Sequence, residues 1–226
     1  MNELKKLGFH NVFSLNKGKE ALDSLFKKNQ REIAQFYDAF ADHYEKEVLE
    51  GKDYTAFEKI PFWILQELKE TSQVLDLGCG TGLGSAPFMK AGHQVIGIDI
   101  SPKMIDSAKK LPYHTLICQS LEEPLPFPEA SFAAVQLLGV MEFIHHPLQL
   151  FKEVVRILKP QGLFGLTVPQ KLPRELEREL GILTTSSLEI ENLFHELGFS
   201  ILKQEAFQGF QYLNRNVHYT GYLVFK

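Results

Sequence analysis

Between Val74 and Gly84 the chain reads Val-Leu-Asp-Leu-Gly-Cys-Gly-Thr-Gly-Leu-Gly. An apolar run meets an acidic residue, Asp76, and then opens into a turn rich in glycine. Glycine has no Cβ and tolerates positive φ, so a ligand can approach bare backbone there. A dinucleotide fingerprint requires glycine at the sixth position, and counting from Gly78 that position is Leu83. A pyrophosphate at the following helix N-terminus would also be repelled by the Asp76 carboxylate. The same charge favours a ligand that carries an ammonium and a sulfonium. A second apolar run ends in Ile98-Asp99. An acidic side chain at a strand's carboxyl end can accept hydrogen bonds from both hydroxyls of a ribose. The alternative for Asp99 is a capping or surface carboxylate ahead of Ser101.

These residues need a scaffold, and from Gln73 onward the pattern alternates strands with helices. Val74–Leu77, Val95–Ile98, Thr115–Cys118, Phe132–Leu138 and Leu163–Val168 are short apolar runs, suited to a parallel sheet covered on both faces. Ser101-Pro102 supplies an N-cap and an N1 proline. Pro147 opens a helix through Leu150, Phe151, Val154, Val155 and Leu158, which Lys159-Pro160-Gln161-Gly162 should end. Ser186 and Glu189 match a capping box, with Gly198 at the other end as a C′ glycine. Phe199–Phe207 and His218–Phe225 are strand-like with no helix between them, so at least one strand is antiparallel. Their polar connection, Gln208–Asn216, is long for a hairpin loop and could carry function.

Residues 1–70 form a helical N-terminal extension, ahead of a domain over 71–226. Gly8, Asn16 and Gly18 interrupt its start. Leu22, Leu25 and Phe26 fall at helical spacing, as do Ile33, Phe36, Tyr37, Phe40 and Tyr44, and a third helix covers Phe57–Leu68.

With 226 residues, 44% of them hydrophobic and 23% charged, the chain suits one large α/β domain with an extension. A net charge of -4 offers no global basic field for nucleic acid. Cys79 and Cys118 are too few for a disulfide scaffold or a zinc site. The start is polar and no apolar stretch reaches bilayer length, so the expectation is a cytoplasmic protein with no membrane segment.

The segments VLDLGCGTGLG, VIGIDISPKMI, SLEEPLPFPEASF and FKEVVRILKPQG, with the paired final strands, resemble the class I S-adenosylmethionine-dependent methyltransferases from about Phe36 to the C-terminus. The resemblance implies a Rossmann-like, seven-stranded, mostly parallel sheet in the order 3-2-1-4-5-7-6. Strand seven is antiparallel and helices cover both faces. It implies S-adenosyl-L-methionine as cofactor and S-adenosyl-L-homocysteine as product. Asp76, Gly78, Cys79 and Gly80 would then face the methionine part, Asp99 the ribose and Ile100 the adenine. Ser120 and Leu121 stand where relatives carry an acidic residue and an apolar one beside the adenine. Leu138 and Gly139 would lie beside the methyl group. Relatives carry a segment like Tyr37 to Tyr44 as a lid; the same spacing also suits plain core packing.

Methyl transfer asks the protein mainly to position two partners and exclude water, so no elaborate triad is required. Candidate bases are Glu142 and His145, with Tyr44 from the lid. His145-His146-Pro147 would equally serve to begin a helix. Leu138-Gly139-Val140-Met141 stands where enzymes acting on nucleic-acid amines carry an Asn-Pro-Pro-Tyr type motif, and no metal cluster is evident. Phe207, Phe210, Tyr212 and Tyr219 could line an aromatic substrate pocket or pack the sheet face. The charges of Pro169–Thr185 alternate in sign, as on a solvated helix or flap. The leading expectation is an enzyme acting on a small-molecule acceptor. An RNA or protein methyltransferase, a non-catalytic S-adenosylmethionine-binding protein and a nicotinamide oxidoreductase are the alternatives.

Overall fold

A computed structural model describes residues 30–50, 55–180, 182–212 and 215–226. The interruptions at Gly8, Asn16 and Gly18 and the spacing of Leu22, Leu25 and Phe26 lie outside them. Two helices come first, α1 (Gln30–Glu50) and α2 (Ala56–Glu67). Then follow β1 (Gln73–Leu77), α3 (Ala86–Lys90), β2 (Gln94–Asp99), α4 (Pro102–Ala108), β3 (Thr115–Cys118) and β4 (Phe132–Leu137). A 3-10 turn (Met141–Phe143) leads to α5 (Pro147–Ile157) and β5 (Leu158–Pro169). The chain closes with α6 (Arg174–Leu180), α7 (Ser187–Glu196), β6 (Ser200–Tyr212) and β7 (Arg215–Phe225).

The sheet runs β3-β2-β1-β4-β5-β7-β6. Strands β1 to β5 pair in parallel, and β7 lies antiparallel to both β5 and β6. Successive side chains along a strand point to opposite faces. Val74 and Val95 therefore join Ile60, Trp63 and Ile64 of α2 and Phe88 of α3 on one face. Leu75, Leu77, Ile96 and Ile98 join Phe151 and Val154 of α5 and Phe194 of α7 on the other. Phe151 packs edge-on to Phe164 and stacks on Phe194. The apolar runs are continuous because both faces are covered, as parallel sheets require.

The expected caps form. Ser101 Oγ accepts from Met104 N at 3.1 Å. Ser186 Oγ accepts from Glu189 N while Glu189 Oε2 accepts from Ser186 N at 2.8 Å. Gly198 takes positive φ after α7.

Three expectations are corrected. Helix α5 does end ahead of Lys159-Pro160-Gln161-Gly162, but β5 starts at Leu158 rather than at Leu163. Leu158 pairs with Phe132, and the extra residues are absorbed as a bulge before Leu163 joins Ala134. Gln208–Asn216 is not a long loop, since β6 and β7 stay paired out to Tyr212 and Arg215. Its polar residues extend a strand at the sheet's edge, where one ladder faces solvent. The flap after β5 is not wholly solvated: Glu177 is buried and gathers Lys171 Nζ and the Thr184 hydroxyl.

Helix α2 docks through two glycines. A Cβ on Gly165 would sit 2.7 Å from both Ile60 Cγ2 and Ile64 Cδ1, and one on Gly221 would sit 2.8 Å from Ile60 Cδ1. Overpacking a close-packed interface costs about 1–3 kcal/mol. Gly165→Ala should lower the urea midpoint by a loss of that size, with an unchanged m-value; an unaltered midpoint would mean that α2 is loosely seated.

Candidate active site

The site is built where β1, β2 and β4 end. After Leu77 the backbone takes positive φ at Gly78, Gly80 and Gly82. Gly78 N and Cys79 N both donate to Ile98 O, at 2.8 and 2.9 Å, which staples the turn to β2. A Cβ on Gly78 would lie 2.3 Å from Val140 Cγ2, whereas one on Gly80 would find only Tyr44 Cε1 at 4.0 Å. Gly80 is thus the bare backbone that faces open space.

Asp99 fixes this turn from the end of β2. Its Oδ2 accepts from Gly80 N at 2.9 Å and its Oδ1 from Ser101 N at 2.8 Å. Burial raises its pKa, and the Ser101 and Gly80 amides draw it back. Ser101 Oγ in turn donates to Asp38 Oδ1 of α1 at 2.6 Å, and Asp38 Oδ1 also accepts from Lys103 N at 3.1 Å. Helix α1 is therefore latched across the carboxyl ends of the strands.

Beneath α1 lies a cleft of about 610 Å³. Gly78, Gly80, Asp99, Ile100, Leu121, Leu138 and Gly139 line it from the sheet side, and Tyr37 and Tyr44 from α1. A neighbouring space of about 390 Å³ shares Tyr44, Gly78, Gly80 and Leu138 and adds Cys79, Thr81 and Phe57. Tyr44 stands at the junction of the two. Its hydroxyl is pushed far up by burial and then by Asp99, Glu142 and Asp76, so it stays protonated. Tyr37 meets Phe143 edge-on, with ring centroids 5.7 Å apart.

Other expected residues lie elsewhere. Asp76 does not line the cleft: its carboxylate is buried below the turn, where Oδ2 accepts from Ser85 Oγ at 2.6 Å. Strand alternation dictates this, because Asp76 follows Leu75 onto the opposite face of the sheet. Ser120 Oγ donates to Gln30 Oε1 of α1 at 2.6 Å, which brings a side-chain amide of that helix to Ser120. His145 does not line the cleft, and Glu122 Oε1 accepts its backbone N–H at 2.7 Å. His146 serves as the N-cap residue of α5. Glu142 is buried against Tyr219, whose hydroxyl donates to Oε1 at 2.5 Å. Phe207 and Tyr219 pack with Ala56 and Val217, and the side chains of Phe210 and Tyr212 lie outside the described residues. Sequence reasoning missed Gln30, Asp38 and Thr81. A helix register alone places Asp38 beside Tyr37 without revealing that it reaches Ser101.

The arrangement fits an adenosyl group with a cationic tail. The Asp99 carboxylate and apolar Ile100, Met104 and Leu121 line the cleft together, and Thr81 Oγ1 is buried without a partner in the second space. Among the described residues no group of three or more His, Cys, Asp or Glu is placed to hold a metal, and no helix is long and apolar enough to cross a membrane.

Comparison with known proteins gives the class. The family model of a methyltransferase domain matches residues 75–166. An uncharacterized methyltransferase of Synechocystis is 31% identical over 152 residues, 61% of this chain and 71% of the relative. Human methyltransferase-like protein 27 is 32% identical over 142 residues, which is 58% of this chain and 56% of the relative. The chain thus spans little more than half the length of that human protein. Magnesium protoporphyrin IX methyltransferase of Synechocystis, solved with bound S-adenosylhomocysteine, shares the fold at a TM-score of 0.69 and 18% identity, covering 87% of this chain and 99% of that one. The chain belongs to the class I, Rossmann-like S-adenosylmethionine-dependent methyltransferases, and S-adenosylmethionine is its cofactor.

Asp76 gives a pH test. Burial raises its pKa from 3.8 to about 6, offset by the Ser85 hydroxyl and the Gln136 amide and reinforced by Asp99. The folded state then holds a proton that the unfolded chain releases, so stability falls as pH rises from 3.8 to about 6. Asp76→Asn should remove this fall in denaturation midpoints measured across that window; a parallel pH profile in the variant would contradict it.

Proposed function

We propose that the protein transfers a methyl group from S-adenosylmethionine to a small-molecule acceptor in the cytoplasm. The observation that carries this reading is electrostatic. Asp76, Asp99 and Glu142 are all buried, and each raises the pKa of the half-buried Tyr44. Among the described residues no lysine or arginine forms an ion pair with any of them. Buried like charges repel strongly at low dielectric, and a cationic ligand relieves them. A pyrophosphate would make the repulsion worse.

In this reading Asp99 accepts from the ribose hydroxyls, the Gly78–Gly80 backbone lies along the methionine part and Ile100 and Leu121 flank the adenine. Ser120 acts at the adenine through Gln30. Leu138 and Gly139 border the methyl group, while Tyr37 and Tyr44 cover it and exclude water. When bound, the cofactor supplies an electrophilic methyl group on a sulfonium. The protein's part is then alignment of the two reactants, and a small acceptor suits a cleft roofed by one helix.

Two measurements test this reading. Asp99→Asn should weaken S-adenosylhomocysteine binding in calorimetry by roughly 10- to 100-fold, the worth of hydrogen bonds to a charged group. Unchanged affinity would remove Asp99 from the site. Labelled methyl from S-adenosylmethionine should enter the small-molecule fraction of a cell extract; label confined to RNA or protein would overturn the acceptor class.

A further inference from the structure

The sheet ends on one side in β3, four residues long, and on the other in β6, thirteen residues long. Among the described residues β6 pairs with β7 and with no other strand, so its outer row of backbone N–H and C=O groups lies at an open edge. Such an edge is a template for a further strand. The large apolar side chains that stand exposed among the described residues are Phe62, Leu188, Ile201 and Leu202, and they gather along this edge. Ile201 and Leu202 belong to β6 itself. Phe62 shares a face of α2 with Lys59, whose Nζ reaches Glu205 Oε1 of β6 at 2.5 Å. Its neighbour Trp63 lies under Lys203 Nζ, 4.5 Å from the ring centroid. Leu188 stands one turn ahead of Glu191 on α7, and Glu191 Oε1 accepts from Gln204 Nε2 at 3.0 Å. Phe62 thus flanks one face of the edge and Leu188 the other. None of these residues lines the cleft or the space beside it.

Charge decides what this edge accepts. Lys203 and Glu205 are two residues apart and point to the α2 face, where they meet Trp63 and Lys59. On a second β6 laid antiparallel, with a two-fold axis at Gln204, Lys203 of each copy stands opposite Glu205 of the other. Two ion pairs then form on one face. Leu202 in the same ladder stands opposite Ala206, which is exposed and small enough to receive it. Moving the axis by one residue opposes Lys203 to Lys203, or Glu205 to Glu205, and like charges directly opposite are destabilising. A lysine on an edge ordinarily keeps other strands away, and so does a bulge such as that between Ile201 and Lys203. The spacing of Lys203 and Glu205 lifts the first barrier for one partner in one register. The bulge confines the ladder to the stretch around Gln204.

We propose that the β6 edge is where two copies of this chain join, each adding an antiparallel strand to the other's sheet about a two-fold axis at Gln204. The interface is isologous, with the same patch facing itself. Backbone bonds give the direction and the Lys203–Glu205 pairs fix the register, while Phe62, Leu188, Ile201 and Leu202 lose contact with water. Both clefts stay open, because they lie at the ends of β1, β2 and β4 and β6 is at the far edge of the sheet. Pairing at this edge requires neither cofactor nor acceptor.

Sedimentation equilibrium of the full chain tests this. Between about 1 and 200 μM the average mass of the wild type should rise from that of one chain toward that of two, the range in which a small interface associates. Lys203→Glu turns both ion pairs into like-charge pairs and should weaken the dimer roughly tenfold or more, and Glu205→Lys should do the same. The double substitution Lys203→Glu with Glu205→Lys should restore the dissociation constant to within about threefold of the wild type. A wild type that stays monomeric throughout would overturn the proposal, as would a dimer that the single variants leave intact or that the double variant fails to restore. Should the variants fail to fold, amide hydrogen exchange of the wild type is followed against its concentration. Exchange should slow over residues 201–207 and stay unchanged over Thr115–Cys118 at the opposite edge. A dimer that forms without protecting residues 201–207 would overturn the proposal.

Discussion

The Asp99 carboxylate is the contact on which the site depends. One oxygen holds the Gly80 amide and the other holds the Ser101 amide. Through Ser101 the same group is joined to Asp38, and so to the helix that roofs the cleft. Floor and roof are therefore ordered by a single line of hydrogen bonds from α1 to the glycine turn. Charge-assisted bonds of this kind are about twice as strong as neutral ones, and they fix direction as well as distance. The sheet supplies the rest, because β1 and β2 pair in register and bring Leu77 and Ile98 side by side at the base of the turn.

Charge explains why this frame suits one ligand class over another. Asp99, Glu142 and Asp76 are buried, and each raises the pKa of Tyr44, which stands over the glycine turn. The expectation that Asp76 meets the ligand directly gives way to a different physical role. Asp76 braces the turn from beneath through Ser85 and contributes its charge at longer range. The sign argument drawn from its position survives that correction, since Coulombic attraction does not need contact.

The strands were largely legible because parallel strands buried on both faces leave continuous apolar runs, whereas their order came from the family resemblance alone. The helix ends were legible for a similarly local reason: Ser101, Ser186 and Gly198 act within one turn of their own position. What local pattern could not convey was contact between segments far apart in the chain. Asp38 on Ser101, Gln30 on Ser120 and Tyr219 on Glu142 each join distant elements. The polar arms of the final hairpin misled for another reason. Alternation at an edge strand allows polar residues that a composition reading assigns to a loop. His145 has the chemistry of a base near the right edge of the sheet, yet it does not line the cleft, and its backbone N–H is bonded to Glu122.

The central claim is that one ligand, S-adenosylmethionine or its product, binds between the Asp99-held glycine turn and the latched helix α1. Hydrogen–deuterium exchange with and without S-adenosylhomocysteine tests it in a single experiment. The account predicts protection together over residues 30–44, 76–84 and 97–104, because all three share the ligand and the Asp38–Ser101–Asp99–Gly80 line. Protection of the glycine turn with none over residues 30–44 would contradict the roofed site, and no protection in either would contradict the binding site altogether.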